Sequence, residues 1–321
     1  MTGARVKVLV EDVPQRSALG AMPESVELVA EPGPDVELLV LGLALMRQVP
    51  ALFDQLAGLR VVQAIFAGVD GFVASVPPGV VVCSASGAHD IGVAEWVVAT
   101  LLAMRRRLPE LLERQRHGEW DRNVNESTAT GASALGPIDD LDGATILVLG
   151  YGSIGRAVAA RLRPFGAHVV GIASRARDDA EPPEALERLL PQADAVVVLL
   201  PLTAETERIV DGEFLARMKP GAVLVNAARG RHVDTAALLA ALHAGQIRAA
   251  LDVTDPEPLP PGHPLWSAPN VLITPHLAGG VRSWQQRAYR LAGDQIRRYV
   301  AGEPLLNVRA GDPGAPGPRS R

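Results

Sequence analysis

The chain has 321 residues, of which 48% are hydrophobic and 21% are charged, and its formal net charge at pH 7 is −5. This length and composition indicate a globular protein of about two domains, and the acidic balance argues against a nucleic-acid partner. No apolar stretch reaches the roughly 18–20 residues that span a bilayer, and the N-terminus lacks the apolar segment of a signal peptide. We therefore expect a cytoplasmic protein that does not bind membranes.

The single cysteine, Cys83, excludes a disulfide within the chain and argues against a cysteine-based zinc site. It ends the apolar run Val80–Val82, which favours a buried, inert thiol over a nucleophile. The histidines show no metal-ligand spacing, so we expect no metal. A reducing compartment fits this use of cysteine.

Short apolar runs alternate with helical patterns in the first part of the chain. Segments such as Pro50–Ala57 are predicted as helices between strands. This alternation predicts an α/β protein with a parallel, doubly wound sheet. The strands predicted here are Val6–Val10, Leu38–Leu41, Val61–Ala64 and Val80–Cys83.

A long helical pattern runs from about Gly92 to Arg116, and Pro109 is expected to kink or divide it. We interpret it as a core-facing helix that connects two domains. The stretch Asp121–Asp139 has no periodicity and is rich in Ser, Thr, Asn, Ala and Gly. It is predicted to be a long loop, either mobile on the surface or a lid over an active site.

A second βα series starts at Ala144. A final helix is predicted at about Ser283–Ala301, and the Gly/Pro-rich tail 311–321 is expected to be disordered. The predicted strands are Thr145–Leu149, His168–Ala173, Ala195–Leu199, Ala222–Asn226, Ala249–Asp252 and Val271–Thr274.

The first strand of this series runs into a GxGxxG motif, and a helical pattern follows it. Gly150 permits a tight turn, Gly152 lets the backbone approach a pyrophosphate, and Gly155 lets helix and strand pack closely. The helix N-terminus would offer free N–H groups to the phosphates. Such glycines can also make an ordinary turn, but the surrounding strand and helix favour a dinucleotide site.

The end of the next predicted strand bears on the choice of cofactor. A site for NAD has an acid there, which accepts hydrogen bonds from the ribose and repels a 2′-phosphate. This chain has Ala173, followed by Ser174, Arg175 and Arg177, and we therefore expect NADP to be preferred over NAD. The alternative is that the arginines are solvated or pair with the nearby Asp178-Asp179.

Later motifs follow predicted strand ends, where open α/β sheets bind ligands. The chain contains in order GxGxxG, PLTxxT from Pro201, MKPGAxLVNxARG from Met218, DVxxxEP from Asp252 and TPHxxG from Thr274. This order resembles the D-isomer-specific 2-hydroxyacid dehydrogenases, and the resemblance extends from about Gly58 to Val308. It implies hydride transfer between a nicotinamide cofactor and a small 2-keto or 2-hydroxy acid.

The resemblance implies a catalytic set of Arg229, Glu257 and His276. Hydride attack on a ketone builds negative charge on its oxygen, and His276 as imidazolium would donate the proton. Glu257 would hydrogen-bond the other ring nitrogen and favour the charged form. Arg229 would bind the substrate carboxylate or carbonyl through its planar fork.

The resemblance implies further contacts. Asp252 matches the position that contacts the nicotinamide carboxamide, although an ordinary strand-end acid is the alternative. The loop Ala67-Gly68-Val69 resembles the one whose backbone amides bind the substrate carboxylate, with a plain turn as the alternative. The remaining cofactor positions implied are Gly150, Gly152, Ser153, Ile154, Gly155, Ser174, Arg175, Pro201, Thr206 and Ala227.

The resemblance also implies an architecture and a partner. A flavodoxin-like substrate domain of residues 1–98 and 283–310 and a Rossmann coenzyme domain of residues 99–282 would face each other across a cleft. A homodimer is expected from the family.

Two other functions stay open. Phosphite dehydrogenase resembles the pattern too, and some family members are dinucleotide-sensing corepressors. Formate dehydrogenase is disfavoured because that branch pairs its histidine with Gln, whereas this chain has Glu257. Glyoxylate, hydroxypyruvate and bulkier 2-keto acids all fit as substrates.

Overall fold

A computed structural model of the protein describes residues 5–120, 135, 138–174 and 180–312. Most of the predicted loop 121–139, the stretch from Arg175 to Asp179 and the tail beyond Asp312 lie outside these residues. The chain divides into two compact units, Met1–His89 with Val281–Arg321 and Asp90–Gly280. The boundary predicted at residue 98 falls within a helix that belongs entirely to the second unit.

The sheet of the first unit has the strand order β2-β1-β3-β4-β5-β13. Strands β1 to β5 pair in parallel, and β13 pairs antiparallel with β5 at the edge. The order 2-1-3-4-5 is that of flavodoxin-like folds, as the sequence predicts. The strands are β1 Val6–Val10, β2 Val26–Val29, β3 Val36–Leu41, β4 Val61–Ala64, β5 Val81–Cys83 and β13 Val308–Ala310.

Helices from both ends of the chain cover this sheet. Helix α1 spans Leu43–Met46, α2 spans Ala51–Asp54 and α9 spans Trp284–Ala301. Helix α9 buries one face in the same core as β1 and β3. There the Tyr299 hydroxyl donates a 2.9 Å hydrogen bond to buried Glu37. The last helix therefore belongs to the core of the unit that the N-terminal strands begin.

The second unit has a parallel sheet with the strand order β12-β11-β10-β9-β6-β7-β8. Numbered from β6, this is the doubly wound Rossmann order 3-2-1-4-5-6, extended by one further strand, as the sequence predicts. The strands are β6 Thr145–Leu149, β7 His168–Ile172, β8 Ala180–Glu181, β9 Ala195–Val198, β10 Val223–Asn226, β11 Arg248–Leu251 and β12 Val271–Ile273.

Successive residues of these strands face opposite sides of the sheet, and both sides are covered. Ile146 and Val148 pack into one buried cluster, whereas Leu147 and Leu149 pack into the other. This explains why the strands read as continuous apolar runs. The helices of this unit are α3 Asp90–Arg105, α4 Leu108–Arg116, α5 Ser153–Leu162, α6 Leu186–Leu189, α7 Gly212–Arg217 and α8 Thr235–His243, and all of them except α4 contribute side chains to the two clusters.

The long predicted helix is divided next to Pro109, as the sequence predicts. The break lies at Arg107, whose φ of 56° is in the left-handed region, and Pro109 occupies the first turn of α4. Proline is tolerated there because the first amides of a helix have no partner within it.

Within the described ranges, no helix is both long and apolar enough to cross a membrane.

Asp194 ties three strands of the second unit together. Its carboxylate accepts hydrogen bonds from the Thr145 amide at 2.8 Å and from Lys219 Nζ at 2.7 Å, and its carbonyl accepts from the Val223 amide. Burial opposes ionisation of this carboxyl, but the bonds from Lys219 and Thr145 outweigh it and hold its pKa below the ordinary value.

We predict that Asp194→Asn lowers the free energy of unfolding at pH 7 by about 1 kcal/mol, the usual scale for a partly exposed charged hydrogen bond. Because the folded pKa lies below the unfolded one, this stabilisation is present above about pH 4 and is lost as pH falls further. Urea unfolding between pH 7 and pH 3 measures it. Glu213→Gln, whose side chain is 81% exposed, is the control. Equal effects of both variants at pH 7 would contradict the role of Asp194.

Candidate active site

The glycine motif forms the turn between β6 and α5. Gly150 has φ 96°, and a methyl group added there would lie 2.6 Å from the Leu199 carbonyl. A methyl group at Gly155 would lie 2.6 Å from the carbonyl oxygen of Gly150. At Gly152, by contrast, an added methyl group would meet nothing within 4 Å. Two glycines are therefore needed for packing within the turn, while the third leaves open space in front of the backbone.

The N-terminus of α5 lies beside this open space. Ser153 and Ile154 occupy its first turn, whose amides have no partner within the helix. The Ser153 hydroxyl donates a short hydrogen bond to Asp90 at the start of α3. Free amides and the positive end of the helix dipole suit a phosphate group. The turn and helix thus fit the pyrophosphate of a dinucleotide.

Strand β7 ends at Ile172, and Ala173 and Ser174 follow it. The Ala173 amide donates to the Glu181 carbonyl in β8. Neither residue at this strand end is an acid. The other residues on which the NADP prediction depends, Arg175 and Arg177, lie outside the described residues.

The PLTxxT motif folds into a compact loop after β9. The Thr206 hydroxyl donates to the Pro201 carbonyl at 2.7 Å and accepts from the Thr203 amide at 2.8 Å. The two threonines of the motif therefore hold the loop in one shape, and Pro201 and Thr206 lie at the end of the strand beside β6.

Arg229 stands on a turn that Asn226 closes. Asn226 is buried at the end of β10. Its side-chain NH2 group donates a hydrogen bond to the Arg229 carbonyl at 2.8 Å, and its side-chain oxygen accepts one from the Ala228 amide at 3.1 Å. The guanidinium donates to the Ala228 carbonyl at 2.7 Å. Ala227 lies half-buried in the same turn. The backbone of Arg229 is thus fixed by a neighbouring side chain.

Gly230 brings this turn against the loop after β11. A methyl group added there would lie 1.9 Å from the carbonyl oxygen of Thr254. Only glycine permits this approach without movement of the Thr254 backbone. The loops that carry Arg229 and Glu257 consequently pack directly on one another.

The structure brings His276 and Glu257 together. His276 Nδ1 lies 2.5 Å from Glu257 Oε1, and both side chains are partly exposed, at 50% and 38%. The histidine backbone is in the left-handed region with φ 52°. Because Nδ1 is held by the carboxylate, Nε2 is the ring nitrogen available to a ligand.

Asp252 supports the loop that carries this histidine. Its side chain is only 3% exposed, and it accepts hydrogen bonds from the Thr274 hydroxyl at 2.6 Å, the Leu277 amide at 2.9 Å and the Ala278 amide at 2.9 Å. The His276 amide donates to the Asp252 carbonyl at 2.7 Å. These bonds fix the 274–278 loop. The predicted contact of Asp252 with a nicotinamide carboxamide stays a prediction.

The predicted substrate loop lies in the first unit. Ala67, Gly68 and Val69 follow β4, all half-buried. The Val69 carbonyl accepts from the amides of Phe72 and Val73, which closes the turn. The role of this loop in carboxylate binding stays a prediction.

Sequence reasoning missed some polar side chains that support these loops. Asn226, Asp90 and His232 contact predicted site residues. Asn226 is the asparagine of the MKPGAxLVNxARG motif, whereas the sequence gives no separate signal for Asp90, and His232 is predicted only to lack metal-ligand spacing. Among the residues that the structure describes, no group of three or more His, Cys, Asp or Glu side chains suits a metal ion.

Comparisons with known proteins agree with this fold. Residues 98–278 match the family model described as D-isomer specific 2-hydroxyacid dehydrogenase, NAD binding domain. A glyoxylate reductase of Thermofilum pendens is 36% identical over 78% of this chain and 75% of its own length. A D-3-phosphoglycerate dehydrogenase of Methanocaldococcus jannaschii is 32% identical over 94% of this chain, which spans only 59% of that relative.

A solved structure covers nearly the whole chain. The D-isomer specific 2-hydroxyacid dehydrogenase of Xanthobacter autotrophicus Py2, in complex with NADPH and MES, superposes with a TM-score of 0.77 at 32% identity over 97% of this chain and 99% of its own. The chain therefore belongs to the D-isomer-specific 2-hydroxyacid dehydrogenase family, whose members are NAD(P)-dependent oxidoreductases.

Proposed function

We propose that the protein transfers a hydride between NADP(H), preferred over NAD(H), and a small D-2-hydroxy acid or its 2-keto form. Arg229, Glu257 and His276 carry the chemistry. The observation on which this depends is the 2.5 Å contact between His276 Nδ1 and Glu257 Oε1, on loops that follow the adjacent parallel strands β11 and β12. The carboxyl ends of neighbouring parallel strands are the usual ligand-binding edge of such a sheet.

His276 is the acid in the direction of reduction. When bound, a nicotinamide cofactor would supply the hydride for reduction of the substrate carbonyl. His276 Nε2 donates a proton to the carbonyl oxygen as negative charge develops there. Glu257 holds the ring in one orientation and stabilises the imidazolium before the transfer. In the oxidation direction, Nε2 takes the proton from the hydroxyl group.

Arg229 binds the substrate carboxylate or carbonyl through two parallel N–H groups of its guanidinium. The backbone amides of Ala67, Gly68 and Val69 bind the carboxylate as well. The support of the Arg229 turn by Asn226 favours this role, because a fixed backbone limits the positions of the guanidinium. The similarity to a glyoxylate reductase supports a small 2-keto acid, such as glyoxylate or hydroxypyruvate, as the substrate. Turnover of a panel of 2-keto acids, measured with NADPH and with NADH, tests this choice of substrate.

The carboxyl edge of the second sheet would hold the cofactor. Gly150, Gly152 and Gly155 with the first turn of α5 would bind the pyrophosphate. Pro201, Thr206 and Ala227 would contact the cofactor further along this edge, and Asp252 would contact the nicotinamide carboxamide. The turn geometry supports the first part of this assignment. The NADPH complex of the Xanthobacter relative supports the use of NADP.

We also propose that the protein is a homodimer and that it works in a reducing, cytoplasmic compartment. The homodimer rests on the family resemblance. The reducing compartment rests on the single cysteine, Cys83, whose thiol is buried and whose pKa is raised by burial to about 11.

We predict that His276→Ala lowers the rate of keto-acid reduction by about 10²–10⁴, the usual contribution of a general acid. In Glu257→Gln the reduction rate should fall as well, because the imidazolium loses its anionic partner. Steady-state kinetics measures both effects. His243→Ala, on an exposed position at the end of α8, is the control. Near-normal turnover of His276→Ala would remove this histidine from the mechanism.

We predict that Gly152→Ala weakens NADPH binding by about tenfold, or 1.4 kcal/mol, without lowering the melting temperature. Its φ of −83° suits alanine, and the added methyl group would fill only the space in front of the turn. Gly155→Ala is the matched control and should lower the melting temperature, since its methyl group would contact the Gly150 backbone. Fluorescence titration and thermal melting separate the two. Unchanged NADPH affinity in Gly152→Ala would show that the pyrophosphate does not bind in front of Gly152.

We predict that Arg175→Ala lowers kcat/KM with NADPH by roughly tenfold and leaves NADH unaffected. A charge-assisted contact with the 2′-phosphate contributes on the order of 1.5–3 kcal/mol. Equal losses with the two cofactors would refute the preference for NADP.

A further inference from the structure

His232 lies one turn beyond Arg229, and its side chain is fully buried. Its Nδ1 lies 3.0 Å from the carbonyl oxygen of Arg229. Its Nε2 lies 3.3 Å from the carbonyl oxygen of Pro201, 31 residues earlier in the sequence. The imidazole thus lies between the turn that carries the substrate arginine and the loop assigned to the cofactor.

These two contacts of the ring are with hydrogen-bond acceptors. A carbonyl oxygen cannot donate, so the neutral ring, with one N–H, donates to one of the two carbonyls and packs against the other, and only the protonated ring donates to both at once. Burial of an imidazole is costly unless its polar atoms are bonded. The neighbouring buried residues, Ala228 and Val233, show that an apolar side chain suits this core. The contribution specific to histidine is therefore its link between the two loops.

Each carbonyl that His232 contacts is also held by a second side chain. Asn226 donates to the Arg229 carbonyl at 2.8 Å, and Thr206 donates to the Pro201 carbonyl at 2.7 Å. The PLTxxT loop after β9 and the arginine turn after β10 are thereby joined through one buried ring. Strands β9 and β10 are adjacent and parallel, so the link fixes the loops at one edge of the sheet.

We propose that His232 is a positioning residue that couples substrate binding at Arg229 to cofactor binding at the Pro201–Thr206 loop. This inference rests on the proposed function, which assigns those two roles. Without the ring, the two loops lose their shared support, and binding of substrate and of cofactor weakens together.

Substitution of His232 by asparagine or glutamine tests the two ring contacts one at a time. In His232→Asn the side-chain amide takes the approximate place of Nδ1, and in His232→Gln it takes that of Nε2. We expect His232→Leu to raise both the NADPH dissociation constant and the keto-acid KM by about 5- to 10-fold, the effect of losing about one hydrogen bond from the ring that supports both loops. His232→Gln should restore most of the NADPH affinity, and His232→Asn most of the keto-acid KM.

NADPH affinity is measured by fluorescence titration without substrate, KM by steady-state kinetics and stability by thermal melting. Leu238→Ala, a buried truncation on α8, is the control and should lower the melting temperature without changing either constant. The coupling role is wrong if the His232→Leu, His232→Asn and His232→Gln variants all keep the wild-type NADPH dissociation constant and keto-acid KM. It is also wrong if these two constants change only in proportion to the loss of melting temperature. If His232→Leu does not fold, the Asn and Gln variants decide alone.

The outcome is distinct from failure of the proposed function. If the wild type turns over no 2-keto acid, the proposed function fails, whereas the NADPH titration of the His232 variants still measures the cofactor half of the link. If His276→Ala is inactive and the His232 variants match the wild type, only the positioning role fails.

Discussion

The site depends on one buried carboxylate. Asp252 is almost fully removed from solvent, and a carboxylate in that position is costly unless its oxygens are bonded. The Thr274 hydroxyl and the amides of Leu277 and Ala278 supply those bonds. The requirement to satisfy the buried charge thus fixes the loop on which His276 is held in a left-handed backbone conformation, with its ring on Glu257.

Close backbone approaches add to this constraint. At Gly230 the arginine turn touches Thr254, and at Gly150 the glycine loop touches the Leu199 carbonyl. A side chain at either position would separate neighbouring loops. Because β6, β9, β10, β11 and β12 are adjacent parallel strands, these approaches gather the loops at their carboxyl ends into one surface. The chemistry assigned to the site needs that proximity.

Side chains between the loops complete the support. Asn226 holds the carbonyl of Arg229, Thr206 holds that of Pro201, and His232 contacts both. None of these groups needs to touch a substrate. Their function in the proposed enzyme is to reduce the freedom of the residues that do, which is how a site achieves a fixed geometry on flexible connections.

The strands that are buried on both faces could be predicted from the amino-acid sequence, and the motifs could be read directly from it. Runs such as Val61–Ala64 and Thr145–Leu149 match the observed strands residue for residue, because continuous apolar residues are typical of a parallel sheet covered on both sides. The GxGxxG turn was predictable for a similar reason, since each glycine has a local steric role. Family membership followed from motifs that are short and contiguous.

Other features, namely the short edge strands, the helix break and the contacts that support the site, became visible only in the folded structure. The short strands β2, β8 and β13 were not predicted, because their pairing partners lie elsewhere in the sequence and their local patterns are weak. The exact position of the helix break, at Arg107 and two residues before the proline, was visible only in the structure. Two supports of the site join distant residues: Asp252 accepts a hydrogen bond from Thr274, 22 positions away, and His232 contacts Pro201, 31 positions away. No local pattern reports such contacts, because burial and hydrogen-bond partners are properties of the folded chain.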